Sequence, residues 1–263
     1  MRHETRSTDP LDYQQLDQVV GAMAKAFPAG FHIEPHCHAR DQLLYAVSGT
    51  MRIRTASEAW IVPADRAVYI PAEVVHSVAM RSAVEMRTLY IGEGHGAPMP
   101  GSPMVLVVTP LLRALILALL DEPIAYAPDT RADRIAKLIL DEIARSEPLA
   151  MSMPMPHDKR LLRLCEALIE APSLALTLDE WADQAGASRR TLARLFQAEC
   201  GMTFTAWRQR VRFHAAVEAL ARGVSVKEAA RLHGYDSASA FTAAFRRAFG
   251  VTPRSIAAHG SGE

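Results

Sequence analysis

The C-terminal part of the chain states one pattern twice, and that repeat restricts the fold more than any other feature. Thr177-x-x-Glu180 is followed by Gly186, Ser188, Phe196, Gly201 and Thr203, and Ser225-x-x-Glu228 by Gly234, Ser237, Phe245, Gly250 and Thr252. The offset is 48 residues as far as the first glycine and 49 beyond it, so the second copy carries one extra residue in its turn. Each hydroxyl–carboxylate pair reads as a capping box: the hydroxyl accepts an orphan N–H and the carboxylate reaches back. Gly186 and Gly234 fall just past a short first helix, where the chain needs positive φ. Ser188 and Ser237 are placed to cap second helices over roughly 189–199 and 238–249.

The second helices have two faces. Leu192, Leu195 and Phe196 line one face of the first, and Phe241, Phe245 and Phe249 one face of the second. The other faces carry Arg189, Arg190, Thr191 and Arg194 in the first copy, and Ser237, Ser239, Thr242, Arg246 and Arg247 in the second. Between the copies, about 204–222 reads as one long helix with Trp207, Val211, Ala215 and Leu220 available for packing, ended by Gly223. Each copy is thus a helix-turn-helix, the motif that lays its second helix in a DNA major groove. Two copies on a stiff spacer predict a grip on two successive grooves.

Residues of about 157–259 resemble the DNA-binding domain of the AraC/XylS family of bacterial transcription regulators. The resemblance is carried by Thr177-Leu-Asp-Glu-Trp-Ala, by Ala187-Ser-Arg-Arg-Thr-Leu-Ala-Arg-Leu-Phe, by Val226-Lys-Glu-Ala-Ala and by the stretch from Gly234-Tyr-Asp-Ser to Gly250-Val-Thr-Pro. It implies two helix-turn-helix units joined by a linker helix. The family's base-reading positions fall on Arg190 and Arg194 in the first unit and on Ser239 and Ala243 in the second. Alanine makes no hydrogen bond, so the resemblance implies weaker sequence reading by the second unit, through Ser237, Ser239 and Thr242, with Arg246 or Arg247 on phosphate.

Charge is partitioned in the same sense. Residues 1–156 carry 14 Lys+Arg against 18 Asp+Glu, whereas residues 157–259 carry 15 against 10. Only the C-terminal part is basic, as expected if it alone meets phosphate. Cys37, Cys165 and Cys200 are too few and too scattered for a disulfide framework, which fits a reducing cytoplasm. The polar N-terminus reads as no signal peptide. The apolar run 104–120 is broken by Pro110 and Arg113, too short in its helical part for a membrane span.

The N-terminal half changes period. Segments 29–34, 42–47, 50–55, 59–62, 67–70, 74–80 and 84–91 are short, β-branched and separated by turns, which argues for a β-sandwich or barrel. Within it, Gly30-x5-His36-x-His38-x3-Gln42-x6-Gly49 resembles the first cupin motif, with Gln42 where glutamate is usual. Pro71-x-Glu73-x2-His76-x3-Met80 resembles the second, with Asp65 and Glu73 at glycine positions. The resemblance implies a sensor pocket lined by His36, His38, Gln42, Tyr45 and His76. It also implies a metal set of His36, His38 and His76, with Gln42 as a weak fourth. Three imidazoles suit a divalent transition metal. The open alternative is a metal-free pocket whose histidines hydrogen-bond an organic effector. Cys37 is expected to point away, and His32 to sit at the rim.

Residues 110–122 and 129–147 read as two helices, the first capped by Thr109 with Pro110 at N1 and apolar almost all round. They either pack on their own barrel or form a dimer interface, the role that family resemblance favours. The expected organisation is α+β: a cupin-like barrel over 1–100, a helical segment over 101–150, a methionine- and proline-bearing linker over 151–157, and the tandem helix-turn-helix over 158–259. The reading is a ligand-responsive transcription regulator with no catalytic residues. Its partners are double-stranded operator DNA, a small-molecule or metal effector, RNA polymerase and a second copy of the chain. The rival is a metal-dependent cupin enzyme, a dioxygenase or isomerase, with an accessory helical domain.

Overall fold

Alternation along β3 (Asp41–Ser48) organises the N-terminal half of the computed structural model, which describes residues 6–93 and 99–257. Leu43 and Tyr45 point to one face of the strand, Gln42 and Leu44 to the other. β3 lies at the centre of an antiparallel five-stranded sheet with order β1-β8-β3-β6-β9, formed by β1 (Val20–Phe27), β6 (Arg66–Ile70), β8 (Val84–Ile91) and β9 (Met104–Val107). Register sets Gln42 opposite both Ile70 and Tyr90, and Leu44 opposite Val68 and Thr88. A second ladder joins β2 (His32–His36) to β7 (His76–Met80), with an irregularity between Ile33 and His36 that brings His36 opposite His76. The hairpin strands β4 (Thr50–Thr55) and β5 (Glu58–Pro63) complete the strands before β6.

Thr109 caps α1 (Pro110–Leu120), accepting from Leu112 N, and Thr130 caps α2 (Arg131–Ala144), accepting from Asp133 N. Both helices pack on one face of the five-stranded sheet. Leu43, Tyr45, Tyr69, Leu89, Ile91 and Leu106 share a buried core with Leu112, Ile116, Leu119, Ile135, Ile139 and Ile143. Burying a side chain of this size contributes about 1.5–3 kcal/mol. α1 is not apolar-buried all round as expected, because Leu111 remains 53% exposed. Two strands differ from the sequence reading. β1 was not read as a strand, and the start of the 104–120 run forms edge strand β9 before the Thr109–Pro110 cap begins the helix.

The described chain packs as two compact units, Met1–Arg52 with Val62–Ala150 and Ile53–Ile61 with Met151–Glu263. The second unit holds α3 (Lys159–Glu170), α4 (Leu178–Ala185), α5 (Arg189–Cys200), α6 (Phe204–Ala221), α7 (Val226–Leu232), α8 (Ala238–Phe249) and α9 (Pro253–Ala257). The segment expected as a linker is not loose within it. Met151, Met153 and Met155 are buried, and β10 (Met153–Pro154) pairs antiparallel with Glu58 and Ala59. The Trp207 indole N–H donates to Pro154 O at 2.6 Å, and Arg54 meets Glu166 at 2.8 Å.

α6 is the hub of the second unit. Phe213 packs edge-on against Phe241, Phe245 and Phe249 of α8, while Trp207 packs against Phe196 of α5. His214 lies beside Phe249, fully enclosed, and neither ring nitrogen has a partner among the described residues. Burial, then the nearby Arg210 charge, pushes its pKa down to about 3. The folded state therefore holds it neutral, whereas an unfolded chain takes up the proton below about pH 6.5. The resulting stability is fully present above pH 6.5 and is lost as pH falls toward 3. The three tryptophans, Trp60, Trp181 and Trp207, all lie in this unit, so denaturant unfolding followed by tryptophan fluorescence reads it. Stability is expected to fall between pH 6.5 and 4, and His214→Leu to show a shallower fall; equal slopes in both would contradict this assignment.

Candidate DNA interface and effector cavity

The two helix-turn-helix units form as the repeat requires, from their caps outward. Thr177 Oγ1 accepts from Glu180 N while Glu180 Oε2 accepts from Thr177 N at 2.7 Å, a full capping box. The second copy is only half of one. Ser225 Oγ accepts from Glu228 N, but the Glu228 carboxylate turns to Arg231, 2.6 Å away, and not back to the cap. The first copy has no arginine three residues after its glutamate to compete. Gly186 and Gly234 adopt φ of 62° and 79°, the left-handed turn that each pair of helices needs.

α5 and α8 direct their polar faces outward. Arg189, Arg190 and Arg194 are exposed and Thr191 is half-buried; Ser237, Ser239, Arg246 and Arg247 are exposed and Thr242 is half-buried. Leu192 and Phe196, and Phe241, Phe245 and Phe249, are buried behind them. Arg189 is tethered 3.6 Å from Asp179 across the first turn. Two of the expected contacts already serve the protein itself. Ser188 Oγ accepts from Thr191 N and Ser237 Oγ accepts from Ala240 N, so both serines hold helix N-termini. Ser188 also shares a hydrogen bond with Thr191 Oγ1 at 2.9 Å, and Ser237 one with Ser239 Oγ at 3.1 Å. Arg190 and Arg194 remain as long exposed donors, the type that pairs bidentately with guanine.

The first unit contains a cavity of about 340 Å³ on the face of β3 away from the helices. His36, His38, Gln42, His76 and Tyr90 line one part of it, and Met23, Leu44, Val78 and Met86 another. Tyr45 does not belong there. Odd numbering on β3 turns it to the helix-covered face, where it is 1% exposed and its hydroxyl accepts from Arg113 at 2.9 Å. Tyr90, on the neighbouring β8, takes the place expected for it. It was detectable only through the pairing of Gln42 with Tyr90, which spacing along one strand does not reveal. His32 lies exposed at the cavity's edge, 3.8 Å from Glu34, and Cys37 is exposed with its thiol 3.9 Å from Glu73.

The three histidines converge. Their ligating nitrogens lie within 4.8 Å of one another. Nitrogens bound tetrahedrally to one ion at 2.0–2.1 Å lie about 3.4 Å apart, so closing on an ion shortens the longest of these separations by up to ~1.4 Å. His36 Nδ1 bonds Glu34 O at 2.8 Å and His76 Nδ1 bonds Val74 O at 2.9 Å. A carbonyl only accepts, so each Nδ1 carries the proton and each Nε2 keeps its lone pair. His76 Nε2 is buried with no partner, as is Gln42 Oε1. Burial, reinforced by the neighbouring imidazoles, pushes the pKa of His38 to about 4; burial followed by His36 does the same for His76 against a raising effect of its Val74 bond. Both are neutral donors at neutral pH. Asp65 and Glu73, at the motif's glycine positions, hold φ of 72° and 62°. The left-handed backbone is therefore kept without glycine, and Glu73 N donates to His38 O at 2.8 Å, which fixes the loop bearing His38.

Residues 181–259 match the profile of the Helix-turn-helix domain family, and residues 25–92 that of the Cupin domain family. The HTH-type transcriptional regulator NimR of Escherichia coli K12 is 30% identical over 218 residues, covering 83% of this chain and 80% of NimR. RipA, an HTH-type transcriptional regulator of Corynebacterium glutamicum, is 31% identical over 128 residues, 49% of this chain and 37% of RipA. Among solved structures, ToxT from Vibrio cholerae is similar over 93% of this chain and 100% of its own, with 10% identity and a TM-score of 0.38.

Base contact and phosphate contact are expected to separate by mutation. Arg194→Ala should relax base preference in one half of the operator, a loss of about 1–3 kcal/mol confined to the preferred base. Arg247→Ala should weaken all sequences alike and reduce the salt dependence of binding. Titrations on intact and scrambled half-sites read both, and a uniform loss for Arg194→Ala would contradict the assignment.

Proposed function

The chain belongs to the AraC-type helix-turn-helix transcriptional regulators, and from that premise we propose that its cupin cavity holds a divalent transition metal through His36, His38 and His76, with Gln42 as a weak fourth ligand. The protein is a DNA-binding regulator and not an enzyme, as its relatives are. The observation that carries the metal reading is the buried, unpartnered His76 Nε2, set beside two further imidazole nitrogens within 4.8 Å. The Nδ1–H donation of His36 and His76 to carbonyls supports it, because metal-bound imidazoles are held by that second hydrogen bond. Neutral nitrogen donors suit Zn²⁺, Co²⁺, Ni²⁺, Fe²⁺ or Cu²⁺. When bound, the ion supplies a Lewis-acidic anchor for an effector in the cavity.

Occupancy of the cavity changes the affinity of α5 and α8 for operator DNA, a coupling of typically ~1–3 kcal/mol between two sites. The regulator acts as a dimer through α1 and α2, each of which leaves a leucine half-exposed: Leu111 at 53% and Leu138 at 51%. RNA polymerase is the partner at the promoter. One contact favours a second reading of the cavity, without metal. Gln42 Nε2 lies 3.2 Å from His38 Nε2, and a donated amide hydrogen there would occupy that ring's lone pair. In this reading the imidazoles bond an organic effector directly.

Metal analysis and DNA titration separate the readings. One ion per chain is expected in the full-length protein, lost in His76→Ala. Chelation is expected to change affinity for the chain's own upstream DNA by roughly 5–150-fold. Metal content unaltered in His76→Ala would remove the metal reading. Absence of specific DNA retardation with and without chelator would remove the regulatory one.

A further inference from the structure

The cavity has two ends of different chemistry, and strand register keeps them apart. Along β3 its lining steps from Gln42 to Leu44, along β7 from His76 to Val78, and along β8 from Tyr90 down to Met86. Gln42 is opposite Tyr90 and His36 opposite His76, while Leu44 and Met23 are both opposite Thr88. The four side chains proposed to hold the ion, His36, His38, His76 and Gln42, therefore gather at one level, with Met23, Leu44, Val78 and Met86 below it.

No carboxylate stands among those donors. Gln42 is 3% exposed and uncharged. Of the acidic side chains nearby, Asp41 is engaged, while Glu34 at the cavity's rim and Glu73 are exposed. Asp41 accepts from the Tyr69 hydroxyl and from Ala72 N, Glu34 pairs with His32 with its side chain 84% exposed, and Glu73 is exposed beside Cys37. A divalent ion on His36, His38, His76 and Gln42 would keep both positive charges in a partly buried site, where a nearby anion is attracted several-fold more strongly than in water. At the apolar end Lys25 also lines the cavity, where it donates to Thr8 O at 3.2 Å and lies over the Phe27 ring.

We propose that the effector is a small amphipathic monocarboxylate. Its anionic oxygen supplies the charge that Gln42 does not, and its apolar body lies against Met23, Leu44, Val78 and Met86. The proposal rests on the metal reading above. At about 30 Å³ for each water-sized group, a 340 Å³ cavity admits roughly ten non-hydrogen atoms, a short alkyl or single-ring acid. A polyhydroxylated ligand is disfavoured, because its hydroxyls would meet apolar walls without partners.

Co²⁺-loaded full-length protein tests this through its visible ligand-field bands and by calorimetry, with hexanoate, acetate and hexanamide as probes. Hexanoate is expected to shift the bands and to bind at least about tenfold tighter than acetate, each buried methylene contributing about fourfold. Hexanamide, of the same shape without the charge, is expected to leave the bands unchanged. Gln42→Glu brings the missing carboxylate within the protein, so it should hold Co²⁺ more tightly and lose the hexanoate response at least tenfold. Hexanamide acting as well as hexanoate, or a full hexanoate response in Gln42→Glu, overturns the proposal. Co²⁺ uptake with no response to either acid overturns the ligand class alone, whereas absence of Co²⁺ uptake removes the metal reading and the proposal together.

Discussion

The antiparallel sheet β1-β8-β3-β6-β9 shows successive residues to two different surroundings, and the first unit depends on that division. One face is sealed by α1 and α2 through Leu43, Tyr45 and Leu89 against Leu112, Ile116 and Ile139. With that face filled, the other lines the cavity. A one-residue slip of β3 would exchange the two faces, placing Gln42 among leucines and Tyr45 in the cavity. The pairing of β3 with both β6 and β8 opposes such a slip on each side. The conformation of the site thus follows from burial on the far side of the sheet.

In the second unit the equivalent constraint is α6. Two helix-turn-helix units can serve one DNA duplex only if their separation is fixed, and α6 touches both. Trp207 near its start packs on Phe196 of α5, and Phe213 in its middle meets three phenylalanines of α8. The same helix is tied to β10 by the Trp207 indole, so the Met151–Met155 stretch is part of the unit's core and not a free tether.

Features that rest on local chemistry were legible in the sequence. The N-cap hydroxyls, the left-handed glycines and the apolar stripes of α5 and α8 need only neighbours within a few residues, and a repeat states each of them twice, although the second capping box is lost to Arg231. Features that rest on pairing between distant strands were not. Tyr45 shares a strand with Gln42 and looks like a pocket residue until its odd position turns it to the helices. Tyr90 enters the cavity through register with Gln42, 48 residues away. β9 was hidden because Met104–Val107 runs into a helix of similar composition, and only the Thr109–Pro110 cap marks the change. Asp65 and Glu73 departed from the glycine pattern, yet the backbone holds the same left-handed turn at both. A missing glycine there signals strain, of order 1–3 kcal/mol per residue, and not a different fold.

The two recognition helices are unequal, and the inequality has an energetic meaning. α5 offers Arg190 and Arg194, exposed and long enough to reach base edges. α8 offers Ser239, Thr242 and Ala243, with its arginines, 246 and 247, only in the last turn. Ser237 is committed to its own helix cap, so little hydrogen-bonding reach is left on that face. Small side chains allow a helix to lie deep in a groove and to contact thymine methyls, but they discriminate weakly. Cations at the end of the helix hold phosphate whatever the sequence. If these faces meet DNA as proposed, specificity concentrates in the first unit while the second supplies salt-sensitive affinity. Such a division lets the regulator tolerate variation in half of its site without losing its grip.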